Sequence, residues 1–260
     1  MTTALDLPGP WAREPYLAAE HGRDDVLAAA ADDDAMVAVV STQRRGPWLI
    51  GLGAPAGVAA LLDREHDALL DAGMRGATLT RGAWELVAPA SGTALALDAS
   101  GSDWDWMWTH APLDVDPTGA YRLPPGERTL ALVGDCLARA YPSASTAPDD
   151  DRLLGWWGVP DGADHEDPAR LVAVVGAVAL APGLAPHLVS LAVDPAERGR
   201  GHADRVLAAA VRDGLQVRPV VGEPLVSLGM YASNAAARRV YERLGFVLRH
   251  TMSSRERRRD

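Results

Sequence analysis

Two stretches in the second half of the chain turn from an apolar run into a helical stripe across a short turn. Residues 188–193, LVSLAV, stop at Asp194-Pro195, cross an arginine- and glycine-rich turn, and continue with apolar positions at Ala203, Val206, Leu207, Ala210 and Val211. Residues 225–230, LVSLGM, lead to Ser233-Asn234, both N-cap residue types, then to a stripe of Ala237, Val240, Tyr241 and Leu244 that stops at Gly245. Each reads as strand, turn, helix. Upstream, Leu130, Val133, Leu137 and Tyr141 predict a helix over 129–141, then an exposed acidic loop over 142–151. Strands near 153–159 and 171–180 follow, around an Asp- and Gly-rich turn at 160–169. The run 171–193 is mostly apolar, but Pro182-Gly183 and Pro186-His187 cut it into strand-sized pieces, which fits buried strands better than a membrane span.

The first half mixes the two periods. Residues 12–31 read as an alanine-rich helix ending in the solvated run Asp32-Asp33-Asp34. Residues 36–41 and 48–52 read as strands about a turn at 44–47, residues 58–73 as a helix, and 78–80, 84–88 and 93–98 as strands. The glycines of 51–57 lack dinucleotide-loop spacing and carry Pro55. Residues 103–109, DWDWMWT, alternate, with Trp104, Trp106 and Trp108 on one strand face and Asp103, Asp105 and Met107 on the other. The tryptophans fit a face packed between lobes, or the wall of an acceptor pocket. Residues 112–126 read as a linker, giving domains 1–120 and 121–260, although the tryptophan strand fits either side. The fold class expected is α/β (α+β).

Charge and cysteine content narrow the function classes. The chain has net charge −10, and all 25 of its cationic residues are arginine. Residues 1–120 hold 7 arginines against 18 acids and residues 121–260 hold 18 against 17, so the first half would attract cations. Nucleic acid is excluded as a partner on this reading. The arginines of 255–259 read as a solvated C-terminal run. One cysteine, Cys136, allows no internal disulfide, and no basic segment precedes an apolar core at the N-terminus, so a cytoplasmic location is expected. Cys136 lies mid-helix without a neighbouring histidine and reads as core.

The spacing Arg198-x-x-Gly201-x-Ala203 after a strand closely resembles the acyl-CoA pyrophosphate loop of the GCN5-related N-acetyltransferase (GNAT) family. The later strand, Asn234, small-residue helix, Tyr241 and Leu244-Gly245-Phe246 resemble the family's second block, in the same order and about 30 residues on. The resemblance implies a mixed central sheet with two splayed parallel strands, preceded here by a smaller α/β domain. The mixed element order of that domain suggests a degenerate copy of the same fold, although it carries no copy of the motifs. It also implies acetyl-CoA as co-substrate, with no metal. Its pyrophosphate would sit on the amides of Arg198, Gly199, Arg200, Gly201, His202 and Ala203, and its pantetheine beside Leu191 and Val193, near Asn234. Asn234 caps its helix in any case.

Tyr241 is the expected general acid, since a neutral phenol can protonate a departing thiolate; its stripe position fits a core role too. His187 stands where many family members place a carboxylate base, with Glu223 and Ser227 as fallbacks. The activity expected is direct transfer of an acetyl group to a small-molecule or peptide amine. The acidic first half favours a small cationic acceptor, and a non-catalytic acyl-CoA-binding or sensing protein is the alternative. The tryptophan strand would serve a homodimer as readily as an interdomain contact.

Overall fold

The computed structural model describes residues 7, 9–22, 24–42, 45–162 and 168–258. In chain order the elements are α1 (Pro15–His21), β1 (Asp25–Ala31), β2 (Ala35–Thr42), β3 (Gly46–Gly53), α2 (Pro55–Asp71), β4 (Gly76–Thr80), α3 (Pro89–Leu95) and β5 (Ser102–Thr109). The second half continues with β6 (Tyr121–Arg122), α4 (Glu127–Ala140), β7 (Leu153–Pro160), β8 (Leu171–Ala179), β9 (Pro186–Val193), α5 (His202–Gly214), β10 (Val226–Tyr231), α6 (Ala235–Arg243) and β11 (Val247–Glu256). All the strands join one sheet in the order β1-β2-β3-β4-β11-β5-β10-β9-β8-β7-β6.

Apart from the short edge strand β6, that order reads the same from both ends. β1, β2 and β3 pair antiparallel and β4 joins β3 in parallel; β7, β8, β9 and β10 repeat those senses. Helices recur at the same places: α1 and α4 before the first strand of each set, α2 and α5 before the parallel partner, α3 and α6 after it. Each half then sends its last strand across the middle, β5 to pair with β10 and β11 to pair with β4, while β5 and β11 pair with each other. The halves are therefore topological copies with exchanged terminal strands, as the degenerate-copy reading expects.

Alternation along the strands fills both faces. Met36, Ala38, Val40, Ile50 and Trp106 pack under α1 on one face, and Val174, Leu171 and Trp156 under α4 on that same face. On the opposite face Val37, Val39 and Leu49 pack under α2, and Val175, Met107, Leu228 and Tyr241 under α5 and α6.

Four expectations are corrected. Residues 25–31 are strand β1, not helix: alanine favours a helix in isolation, but here pairing to β2 and an alternating half-buried pattern override propensity. Residues 84–86 form a single 3-10 turn, and residues 93–95 belong to helix α3, which Pro89 starts and Ala96 at φ 50° ends. The basic tail is not a solvated run: Arg255 pairs with Ala77 inside the sheet and stacks on Trp84 at 5.3 Å, and the Arg258 amide donates to the Ala96 carbonyl. Arg259 lies outside the described residues, as do Arg44 and residues 163–167 of the expected 160–169 turn.

The tryptophan strand β5 is central, and its other face carries a wholly buried carboxylate, Asp105. Arg81 of the first half (2.7 Å) and Arg238 of α6 (3.3 Å) hold it. Removing the carboxylate leaves two guanidinium groups facing each other with only their outer partners, Asp103 for Arg81 (3.6 Å) and Glu242 for Arg238 (2.9 Å), and takes away the buried charge between them. Asp105→Ala is expected to lower the free energy of unfolding by about 3 kcal/mol, read from urea denaturation; a loss within about 0.5 kcal/mol, typical of an exposed surface site, would show that the exchanged strands do not depend on this ion pair.

Candidate active site at the split between β9 and β10

The parallel neighbours β9 and β10 pair only at Ser227 with His187 and Leu228 with Leu188. Beyond those pairs β10 stays with β5 as far as Tyr231 and β9 stays with β8 as far as Val193, so a gap opens toward their C-terminal ends. A bulge in β9, with Ser190 at φ 53°, shifts its register against β8 alongside that gap. The equivalent place between β3 and β4 is filled: a Cβ on Gly51 would come within 2.8 Å of both Leu79 and Val58.

The turn at the mouth of the gap is held from below. Asp194 ends β9 and is buried. It accepts from the Ala196 amide (3.1 Å), from Arg139 of α4 (3.0 Å) and from Arg170 (2.8 Å). The hydrogen bond from Arg139, then that from Ala196, outweighs burial and holds its carboxyl down at about 2. Gly199 (φ 79°) and Gly201 (φ 74°) then take left-handed conformations that would strain other residues, and nothing lies within 4 Å of where a Cβ of Gly199 would stand. Among the described residues no main-chain amide from 198 to 204 donates a hydrogen bond, and those of His202, Ala203 and Asp204 form the first turn, at the positive end, of the 13-residue helix α5. That is a cradle for a phosphate group. Arg200 is tied to Glu197 (2.8 Å), and the Arg205 guanidinium donates to Nδ1 of His202 (2.8 Å), which puts the ring proton on the buried Nε2, 3.5 Å from Glu197.

Tyr241 of α6 is nearly buried, on the same face as Leu191 and Val193, which pack into its cluster, and its ring meets Phe246 edge-on at 5.8 Å. Burial, then the neighbouring Tyr141 phenol, push its pKa up to about 12, so it carries its proton at neutral pH. Asn234 caps α6, accepting from the Ala237 amide at 3.1 Å. Burial pushes the Cys136 thiol up to about 11, which leaves it inert.

His187 points to the opposite face, and a residue of the first half meets it there. Its Nδ1 lies 3.0 Å from Glu20 and 2.9 Å from Ser227. The Trp106 indole also donates to Glu20, at 2.8 Å. Burial disfavours the charged form of Glu20, but the charge and hydrogen bond of His187 and the indole bond hold the carboxyl below its usual range. An ionised Glu20 only accepts, and the Ser227 hydroxyl donates toward it at 3.5 Å, so Nδ1 must carry the proton. When the imidazole is uncharged, this tautomer leaves its lone pair on Nε2. Helix α1, which brings Glu20, is anchored by Glu14 to Arg249 (2.7 Å) and His250 (2.9 Å) of β11. Ser227 is thus a partner of His187, while Glu223 is exposed with no such link. The two readings of the tryptophans divide by residue: Trp106 is wholly buried, whereas Trp104 borders the gap, 3.6 Å from a Cβ placed on Gly229.

Residues 118–246 match the model of the acetyltransferase (GNAT) family. That stretch belongs to the GNAT family. No curated protein matches the chain. Among solved structures the chain is similar to a protein described as an acetyltransferase of the GNAT family from Novosphingobium aromaticivorans, at 25% identity over 87% of this chain and 88% of that one, TM-score 0.49. A GCN5-related N-acetyltransferase from Kribbella flavida is similar at 15% identity over 90% of each chain, TM-score 0.48. A Drosophila protein is similar in fold, at 14% identity over 85% of this chain and 74% of that one, TM-score 0.51.

The GNAT motifs led to the loop and to Tyr241, but not to the groups that hold them. Asp194 could have been suspected from Asp-Pro at a strand end. Glu20 carries no local signal, being 167 positions before His187 in the chain. Asp194→Asn is expected to speed amide exchange at Glu197 and Arg205, whose hydrogen bonds hold the two sides of the turn, by about tenfold, equivalent to about 1.4 kcal/mol of local opening. Acid should do the same in the parent protein. Because the folded-state pKa is depressed, this tether is complete above the ordinary 3.8 and is lost as pH falls toward about 2. Exchange by the Asn variant at the parental rate would show that the turn is held otherwise.

Proposed function

We propose that this chain is an acyl-CoA-dependent N-acyltransferase that passes an acetyl group from acetyl-CoA directly to a small amine, with a cationic amine favoured by the acidic first half. One observation carries the reading: the gap between β9 and β10 has a protonated phenol, Tyr241, on one face and a histidine with its Nε2 lone pair available, His187, on the other. The amide cradle of residues 198–204 fits a diphosphate, and the space in front of Gly199 leaves room for it. Acetyl-CoA, when bound, supplies an acyl thioester activated toward amines.

Each residue then has a distinct task. The His187 Nε2 accepts the proton lost by the attacking amine, and Glu20 stabilises the imidazolium that forms. The hydroxyl of Tyr241 gives its proton to the sulfur as the carbon–sulfur bond breaks. Counted from the unprotonated amine that attacks, one proton is taken up on one face and one given up on the other, so the transfer is proton-neutral; an acceptor arriving as its ammonium first loses one proton to solvent. Leu191 and Val193 offer strand edge to an extended arm. Trp104 and Gly229 border the face on which the amine would meet His187.

A thiol-release assay with acetyl-CoA and an amine panel tests the activity; tight CoA binding without turnover on any amine would support the non-catalytic sensor instead. Tyr241→Phe is expected to lower kcat by roughly 10² with CoA affinity unchanged, and a parental rate would remove Tyr241 from the chemistry. Glu20→Gln should lower kcat/KM by roughly 10² and move the acid limb of its pH profile, while Gly201→Val should strain the loop by about 1–2 kcal/mol and abolish CoA binding. An unmoved pH profile in the Gln variant would make Glu20 a structural residue only.

A further inference from the structure

The first half contains a second charged feature that the transfer chemistry does not use. A cavity of about 690 Å³ opens where the start of β3, the turn between α2 and β4 and the end of β11 meet, lined by Arg45, Trp48, Arg75, Glu256, Arg257 and Arg258. Four guanidinium groups against one carboxylate is an inversion of the surrounding charge, since residues 1–120 carry more than twice as many acids as arginines. Among the described residues none of these four arginines is in a salt bridge, whereas Arg139, Arg152, Arg170, Arg238, Arg243 and Arg249 all are. Cations gathered in one cavity without counter-ions repel one another, and a bound anion relieves that repulsion.

The walls are fixed by main-chain bonds between the three segments and from β11 to the end of α3. The Arg75 amide donates to Pro47 (2.8 Å), the Arg257 amide donates to Arg75 (2.9 Å), and the Arg258 amide donates to Ala96 (2.9 Å). Gly46, at φ 70°, lets the Arg75 side chain lie flat against it, 3.4 Å from where a Cβ would stand. Trp48 is buried, with its indole nitrogen donating to Thr78 (3.0 Å) and Arg45 stacked over its ring at 5.0 Å. The arginines therefore project from a hydrogen-bonded junction of β3, β4 and β11, with an aromatic floor. The site is set apart from the gap across the sheet: it opens at the same sheet end as the amide cradle of residues 198–204, but β4, β11, β5 and β10 lie between β3 and β9.

We propose that this cavity binds an organic polyphosphate of nucleotide size, with the forked guanidinium groups on its phosphate oxygens and Trp48 beside its non-phosphate part. Planar guanidinium forks match phosphate oxygens two at a time. The volume exceeds what a single phosphate needs and lies within the range of small-ligand pockets. Several like charges on the ligand are what four arginines with no salt bridge among the described residues require.

The test is calorimetric titration of the full chain with ADP, inorganic pyrophosphate and citrate, repeated in Gly201→Val, whose amide cradle is blocked. ADP and pyrophosphate are expected to bind at one site retained in Gly201→Val, to weaken with added salt, and to bind more tightly than citrate. Arg75→Ala with Arg257→Ala should weaken ADP by at least about tenfold, the loss of one charge-assisted contact or more. If that pair fails to fold, Arg45→Gln with Arg258→Gln, whose side chains are exposed, is read instead with the same expected weakening. No ADP binding by the parent chain, ADP binding by the arginine-pair variants as tight as by the parent, binding lost in Gly201→Val alone, or citrate bound more tightly than ADP would each overturn the proposal.

Discussion

β5 and β11 pair with each other at the middle of the sheet, and each is built by one half of the chain but completes the sheet of the other. That exchange is the constraint from which the rest follows. An edge left at β4 or β10 would expose unpaired amides and carbonyls, so neither half can satisfy its sheet without the other's last strand. The exchanged strands also carry the interior between the halves. Trp106 and Met107 are wholly buried on opposite faces, each worth about 2–3 kcal/mol of burial, and Asp105 holds an arginine from each half.

Exchange explains how a residue near the N-terminus reaches the candidate site. Helix α1 packs over the tryptophan face of β5 and is fixed by Glu14 to β11. Burial would raise the pKa of Glu14, but hydrogen bonds from His250 and Arg249 hold it at about 2, so the anchor stays charged at any pH near neutral. With α1 held in that way, Glu20 meets His187 and fixes which of its nitrogens bears the proton. The first half thus supports the second even though its own counterpart of the gap is filled by Leu79 and Val58.

The two halves share a topology and differ in what they do with the parallel pair at its centre. In the second half a bulge at Ser190 and an arginine- and glycine-rich turn separate β9 from β10, and the amides of residues 198–204 have no acceptor among the described residues. In the first half Pro55 starts α2 two residues after β3 ends, with no room for such a turn. One half keeps an opening through the sheet with polar chemistry on both faces; the other is closed by aliphatic packing.

What the sequence determined by itself is local: the strand-turn-helix blocks, the glycines that need positive φ, the cap at Asn234, the alternation of residues 103–109 and the burial of Cys136. These follow from periods, caps and backbone freedom, which depend on a few neighbouring residues. The repeat, the exchange of β5 and β11, the docking of the C-terminal arginines and the contact of Glu20 with His187 depend on pairing between residues far apart in the chain, which leaves no trace in a local pattern. Residues 25–31 show the limit plainly: seven residues rich in alanine become a strand because β2 offers an edge for them, and only the assembled sheet could decide that.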